Sequence, residues 1–258
     1  SVMVQGDTTS AFAVALAAFH RQIPVIHLEA GLRTYDLAHP YPEEFNRQAI
    51  SRLAAVNLCP TARSYSNIEG EKTPGQRFIV GNTVLDNLTH LTPSYNDNVI
   101  VTMHRRENHH WMDQWFIKID ELAANHPELN FILPLHPNPN VKKHVELLQN
   151  VLVIDPVPYD DFMSMLASCK FAITDSGGLQ EELSFFNKLC IVCRTQTERK
   201  MGIGTFSFLC KHPDDLSRLF DNVNSNYQSA EGISSPYGDG KSSEKILKLI
   251  KDGYVQGI

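Results

Sequence analysis

Short apolar runs that do not alternate, set between stretches of helical period, constrain this chain more than any other feature. From residue 99 the runs are VIVTM (99–103), FILPL (131–135), VLVI (151–154), FAIT (171–174) and LCIVC (189–193), with helical patterns near 111–125, 141–149, 160–168 and 179–186. A strand that is apolar on both faces must be covered on both, and strand–helix alternation does this through parallel crossover units. Residues 2–91 repeat the theme less regularly: VMVQ, VIHL, NLC and FIV read as strands, with helices near 8–20, 42–54, 61–69 and 83–90. The polar, Pro-containing stretch around residues 91–98 suits a linker. The Gly/Ser-rich region after 225 reads as loop and leads to a last helix, EKILKLIKDG. The predicted fold class is therefore α/β, with two Rossmann-like doubly wound domains at 1–92 and 93–240 and a final helical segment at 241–258.

The bulk chemistry narrows the function. Lys+Arg 23 against Asp+Glu 29 gives a net charge of −6, which offers nucleic acid or an anionic membrane no general attraction. No apolar run approaches the ~18 residues of a membrane span. The opening SVMVQGDTTS has neither the basic head nor the long apolar stretch of a signal peptide. It reads as the interior of a folded domain, so further sequence upstream and an incomplete first domain are expected. The five cysteines are an odd number in apolar surroundings, and the CxxC spacing of Cys190 and Cys193 lies inside LCIVC. Buried thiols are expected rather than a redox pair, and a reducing cytoplasm fits them.

In open parallel sheets, ligands bind beyond the carboxyl ends of the strands. Here Gly6-Asp7 follows VMVQ, Glu29 follows VIHL, His104-Arg105-Arg106-Glu107 follows VIVTM, His136 follows FILPL and Asp175-Ser176 follows FAIT. Helix capping and loop solvation explain any one of these; together they suggest two strand-end edges lining a cleft. In TDSGGLQEEL (174–183), Ser176 is expected to cap a helix, while Gly177 and Gly178 let a ligand approach the backbone. The amides and dipole at that helix start favour an anion such as phosphate. Glu181 and Glu182 are placed in the first turn, either stabilising the helix end or accepting hydrogen bonds from hydroxyls, as carboxylates do for ribose. Asp7, Glu29 and Glu43 are the candidate acids and bases, because carboxylates crowded in a closing cleft can split into proton donor and acceptor. Arg33 and Arg47 can offset their charge, or simply be solvated. A metal site is the rival reading for three acids, but no HExxH or comparable ligand spacing supports it and no metal is expected. The His109-His110 pair reads as a wet loop.

Taken in order, GDTTSAFAVALAAF, HLEAGLRTYDLAHPYPEEFNR, GNTVLDNL, VTMHRREN, LHPNPNV, TDSGGLQEE and TER resemble the non-hydrolysing UDP-N-acetylglucosamine 2-epimerases, over about residues 2–200. The resemblance implies a glycosyltransferase B-type arrangement with the active site between the domains and the last helix returning to the first. It implies a UDP-sugar substrate interconverted between the gluco and manno forms by elimination and re-addition of UDP through 2-acetamidoglucal, without a redox cofactor, in polysaccharide biosynthesis. By resemblance, Asp7, Glu29 and Glu43 handle the proton, while His104, with Arg47, supports the leaving diphosphate. Ser176, Gly177 and Gly178 hold phosphate, Glu182 the ribose, Phe162 lies near the uracil, and His136 and Arg199 complete the UDP side. A homodimer is implied, as are further strand–helix units before Ser1, including a glycine-rich loop. The family usually continues Pro-Glu after TER; Lys200-Met201 here predicts an altered loop. Alternatives are a hydrolysing relative that releases UDP and N-acetylmannosamine, a truncated non-catalytic UDP-binding module, and a glycosyltransferase.

Overall fold

The computed structural model describes residues 1–253, and the chain divides into two compact units, Ser1–Asn87 with the segment from Pro236 onward, and Leu88–Ser235. In the first unit, β1 (Val2–Gln5), α1 (Thr9–His20), β2 (Val25–Leu28), α2 (Glu43–Leu53), β3 (Val56–Cys59), α3 (Ala62–Gly70) and β4 (Gln76–Ile79) alternate along the chain. The four strands pair in parallel in the order β1-β2-β3-β4. Every residue of β2 and β3 is buried, the polar His27 and Asn57 included, as expected of central parallel strands covered on both faces. Side chains set the helix starts: Thr8 accepts from the Ala11 amide at 3.2 Å and Thr61 from the Ser64 amide at 3.1 Å. Residues expected to form a helix at 83–90 form a 3-10 turn at Thr83–Leu88.

The second unit carries β5 (Asn98–Thr102), α4 (Met112–Asn125), β6 (Asn130–Pro134), α5 (Pro139–Lys142), β7 (Leu152–Ile154), α6 (Tyr159–Ser168), β8 (Phe171–Thr174), α7 (Gly177–Phe185), β9 (Cys190–Cys193), β10 (Ser207–Cys210) and α8 (Leu216–Ser225). Its six strands are parallel in the order β10-β9-β8-β5-β6-β7. The chain runs outward from β5 through β6 to β7, then crosses to β8 on the other side of β5. That reversal makes the β5/β8 junction the topological switch point, where the strand ends diverge and a crevice opens. Val99, Phe116, Phe131, Ile173, Ile191 and Phe220 belong to the continuous core around this sheet. The helix expected at 141–149 is cut to α5 and a 3-10 turn, Val145–Leu147. The Asp120 carboxylate captures the Gln149 and Asn150 amides, each at 2.7 Å, before another helical turn can form.

The last helix, α9 (Ser242–Lys251), belongs to the first unit. Asp86 accepts from the amides of Ser242 (2.9 Å) and Ser243 (2.6 Å), capping α9 from a distant part of the chain. Ile246 joins Ile26, Leu28, Val56, Leu58 and Val80 in one cluster. Residues 254–258 of the expected final segment lie outside the described residues. All five cysteines are buried and free, and burial pushes the Cys190 thiol up to about 12 and holds the Cys193 thiol well above its ordinary value. Among the described residues no helix is long and apolar enough to cross a membrane.

Candidate functional site

Because β1 and β2 are parallel neighbours, their carboxyl ends deliver Asp7 and Glu29 to one edge. Gly6 turns the chain at φ +68°, and a Cβ built on it would stand 3.6 Å from Glu29 Oε2, so the carboxylate lies over that turn. Glu29 itself has φ +64°, a region sparsely used by residues other than glycine. Such strain persists only where the surroundings over-determine it, and it collects at functional sites. Helix α2 covers this edge: Asn46 Nδ2 donates to the Asp7 carbonyl at 2.9 Å, and the Arg47 guanidinium forms an ion pair with the Asp7 carboxylate. Glu43, three and four residues before them, shares their helix face. Its side chain is half-buried and makes no hydrogen bond or ion pair among the described residues.

Two neighbouring residues behave otherwise than the sequence suggested. Arg33 does not serve the acids: it is buried against Glu71 (2.6 and 3.0 Å), Ser51 (2.9 Å) and the Leu32 carbonyl (2.8 Å), fixing the loop after β2. Glu44, which the sequence did not distinguish from Glu43, is fully buried. It accepts from the amides of Thr34 (3.1 Å) and Tyr35 (3.0 Å), and from Gln48 (2.9 Å). His27 is a further residue that sequence reasoning missed. It is fully buried with Nε2 at 2.9 Å from the Gly6 carbonyl, and burial depresses its pKa to about 4. A carbonyl only accepts, so the neutral ring carries its proton on Nε2. The signal was a lone imidazole inside VIHL, whose other residues are apolar.

In the second unit, the switch point gathers His104 after β5 and Asp175 after β8. Asp175 is fully buried and accepts from the His104 amide (2.9 and 3.1 Å), the Arg105 amide (2.8 Å) and Asn108 Nδ2 (3.1 Å). His136, after β6, stacks on His104 with centroids 5.0 Å apart and planes 13° from parallel. Burial lowers the His104 pKa while Asp175 opposes that shift. A cavity of about 270 Å³ opens here, lined by His104, His136, Pro156, Phe162, Ser176 and Leu179 among others.

Ser176 occupies the N-cap position of α7, but its side chain makes no capping bond, contrary to expectation. The first-turn amides are thus left without a side-chain cap beside the cavity. A Cβ on Gly178 would meet open space, whereas one on Gly177 would press on Arg199 Nη1 at 2.9 Å and Glu198 Oε1 at 3.0 Å. Glu181 and Glu182 lie beyond the first turn, since α7 starts at Gly177 and a turn takes 3.6 residues. Glu181 accepts from Arg199 Nε at 2.8 Å, and Arg199 also pairs with Glu198. Glu182 is buried, accepts from the Tyr159 hydroxyl at 3.3 Å, and is raised to about 7 by burial and by Glu181. Arg194 ties Glu198 (3.2 Å) to Glu107 (2.6 Å), joining the loop after β9 to the loop after β5. Among the described residues, no three His, Cys, Asp or Glu side chains are grouped as metal ligands.

The expected site residues therefore fall into two sets. Asp7, Glu29, Glu43 and Arg47 stand on the first unit; His104, His136, Phe162, Ser176, Gly177, Gly178, Glu182 and Arg199 stand on the second.

Comparison with known proteins gives these sets a context. The family model described as UDP-N-acetylglucosamine 2-epimerase matches residues 1–251. A UDP-N-acetylglucosamine 2-epimerase of Campylobacter jejuni is 37% identical over 98% of this chain and 75% of its own length. One from Neisseria meningitidis serogroup A is 36% identical over 96% of this chain and 75% of its own. Among solved structures, a UDP-GlcNAc 2-epimerase from Neisseria meningitidis bound to UDP-GlcNAc superposes with a TM-score of 0.89 at 34% identity, covering 97% of this chain and 76% of that one. S. aureus MnaA, solved with UDP, gives 0.89 at 32% identity over 100% and 76%. The chain belongs to the UDP-N-acetylglucosamine 2-epimerase family.

Proposed function

We propose that this chain interconverts UDP-N-acetylglucosamine and UDP-N-acetylmannosamine without net hydrolysis. A carboxylate takes the proton from the second sugar carbon while the bond from the first carbon to the diphosphate oxygen breaks. The C–H electron pair becomes the double bond of 2-acetamidoglucal, and the C–O pair leaves with UDP. Protonation on the opposite face and return of UDP to the first carbon complete the inversion. Nothing is oxidised or reduced, so the chemistry calls for no redox cofactor.

Asp7, Glu29 and Glu43 supply the proton-handling carboxylates in this reading. His104 and Arg47 stabilise the charge that develops on the leaving diphosphate. The phosphates sit at the α7 start, on Ser176, Gly177 and Gly178. Glu182 takes the ribose, Phe162 lies against the uracil, and His136 and Arg199 complete the nucleotide side. The first unit works on the sugar, the second holds UDP, and the protein acts as a cytoplasmic homodimer. The single observation that carries the reading is the pairing of Asp7 and Glu29 at the β1 and β2 ends under the Asn46/Arg47 face of α2. The relatives' names, and the UDP-GlcNAc and UDP bound in two of the similar structures, support it.

Incubation with UDP-N-acetylglucosamine in deuterated water, followed by proton NMR, tests it. Both epimers are expected, with deuterium at the second carbon and no accumulating free UDP. Stoichiometric UDP and free N-acetylmannosamine would mark a hydrolysing enzyme. Tight UDP binding by a folded chain with neither product nor exchange would mark a binding module.

A further inference from the structure

We propose that Asp175 is a positioning residue that holds His104 ready to take up a proton when a diphosphate enters the cavity, so that nucleotide binding is coupled to protonation of His104. This deepens the reading that the second unit binds UDP and rests on it. Asp175 belongs to neither of the residue sets named above, yet the His104 loop is built around it.

The geometry is that of a carboxylate orienting an imidazole. The two residues follow neighbouring strands in register, Thr102 opposite Thr174, and the two threonine hydroxyls share a 2.6 Å hydrogen bond. Three donors from residues 104–108 converge on the Asp175 carboxylate: the amides of His104 and Arg105, and Asn108 Nδ2. Asn108 also donates to the Cys193 carbonyl at 2.9 Å, fixing that loop to a third strand. Asp175 Oδ1 is 3.4 Å from His104 Nδ1, so the ring presents this nitrogen to a carboxylate. Nε2, on the other side of the ring, has no partner among the described residues, and His104 lines the cavity. A buried acid that selects the Nδ1–H tautomer and stabilises an imidazolium is the logic by which carboxylate–histidine pairs work elsewhere.

The charges facing His104 are finely opposed. Asp175 favours a proton on the ring, while burial, Arg105, the stacked His136 and His109 oppose it. Without ligand the opposing set prevails and the ring is neutral at pH 7. A diphosphate on the Nε2 side places a second anion against the ring, which then lies between two negative groups and gains its proton from solvent. The cationic charge thus appears when the diphosphate is present, where a charge-assisted hydrogen bond is strongest.

Calorimetric titration of UDP in buffers of different ionisation enthalpy, from pH 6 to 8, counts the protons taken up. Glu182, the stacked His136 and the terminal phosphate of UDP are common to wild type and His104→Gln, so comparing the two proteins reads the increment that His104 adds. The expected result is greater uptake by wild type, with a log Kd that steepens by up to about 1 per pH unit relative to His104→Gln, weakening as pH rises. Asp175→Asn should lose the same increment. Equal uptake in wild type and His104→Gln, or an increment that survives in Asp175→Asn, would overturn the inference while leaving UDP binding intact. No UDP binding by the wild-type protein would overturn both this inference and the reading beneath it. Nitrogen-15 NMR of the wild-type imidazole decides Asp175's part even if Asp175→Asn does not fold: the Nδ1–H tautomer supports it, and Nε2–H overturns it.

Discussion

Arg47 on α2 forms an ion pair with the Asp7 carboxylate, forty positions away in sequence, and brings Nη1 within 3.4 Å of the buried Glu44. One cation thus stands between an acid of the β1 edge and the acid that secures the loop after β2. Its Nε and Nη1 are buried without hydrogen-bond partners, so most of its interaction is ionic. Replacing Arg47 by Ala leaves the buried Glu44 without an ion-pair partner among the described residues, and the loss of stability is expected to be about 3 kcal/mol. Lys recovers part of it but cannot reach both carboxylates as a planar fork does. Urea denaturation of the two variants checks the order; equal stability of Arg47→Ala and wild type would contradict it.

Glu43 and Glu44 are adjacent in sequence and opposite in role. Glu44→Gln keeps the shape but places an amide NH2 where two amides and Gln48 now donate, so the 33–35 loop loosens. A cost of roughly 1–3 kcal/mol is expected. Glu43→Gln, on a half-exposed residue without partners, should leave stability within about 0.5 kcal/mol of wild type and abolish deuterium exchange at the sugar. The two melting curves and one exchange assay separate the cases.

The pH dependence of stability holds opposed contributions, in which the lowered His104 acts with the same sign as His27 and Glu182 with the other. Burial lowers His27 to about 4 from 6.5, so the unfolded chain binds its proton more readily and stability falls as pH drops from 6.5 to 4. Burial raises Glu182 to about 7 from 4.5, so the folded chain binds that proton more readily and stability falls as pH climbs from 4.5 to 7. Over the shared window the two slopes cancel. Glu182→Gln should uncover the His27 slope and gain on the order of 3 kcal/mol over wild type at pH 8, with weaker UDP binding. His27→Gln should uncover the Glu182 slope. Denaturation at pH 4.5, 6 and 8 reads both.

Gly177 and Gly178 make a matched pair. Gly178→Ala meets open space and should gain up to about 1 kcal/mol of helix stability, yet lose at least tenfold in UDP affinity by crowding the phosphate site. Gly177→Ala pushes on Arg199 Nη1 and Glu198 Oε1, so it should disturb their ion pairs and lower the melting temperature as well. A Gly178→Ala protein that binds UDP as wild type would count against placing phosphate at this helix start.

Much of the sheet architecture was legible because buried parallel strands write continuous apolar runs. VIHL, FAIT and LCIVC each appear within a residue of where they were expected. The elements missed, β10 and α8, follow Gly202 and Gly204, where a four-residue strand with two half-buried positions carries little signal. The expected 141–149 helix failed because Asp120, distant in sequence, takes the amides that would have extended it. The strand-end polar residues were readable from position alone. Which of two adjacent glutamates is structural was not, since that depends on the amides of Thr34 and Tyr35 folding back onto Glu44. Likewise nothing in DSGG tells that Asp175 turns to the His104 loop while Ser176 leaves the helix uncapped.

The decisive experiment follows an oxygen atom. UDP-N-acetylglucosamine is prepared with oxygen-18 in the bridge between the first sugar carbon and the β-phosphorus, then incubated with the protein and examined by phosphorus NMR. If that C–O bond breaks and UDP is held for re-addition, the label spreads into non-bridging β-phosphoryl positions in recovered UDP-sugar as the epimer forms. Epimer formed with the label still confined to the bridge, and with neither 2-acetamidoglucal nor UDP recovered when turnover is quenched, would contradict elimination through 2-acetamidoglucal.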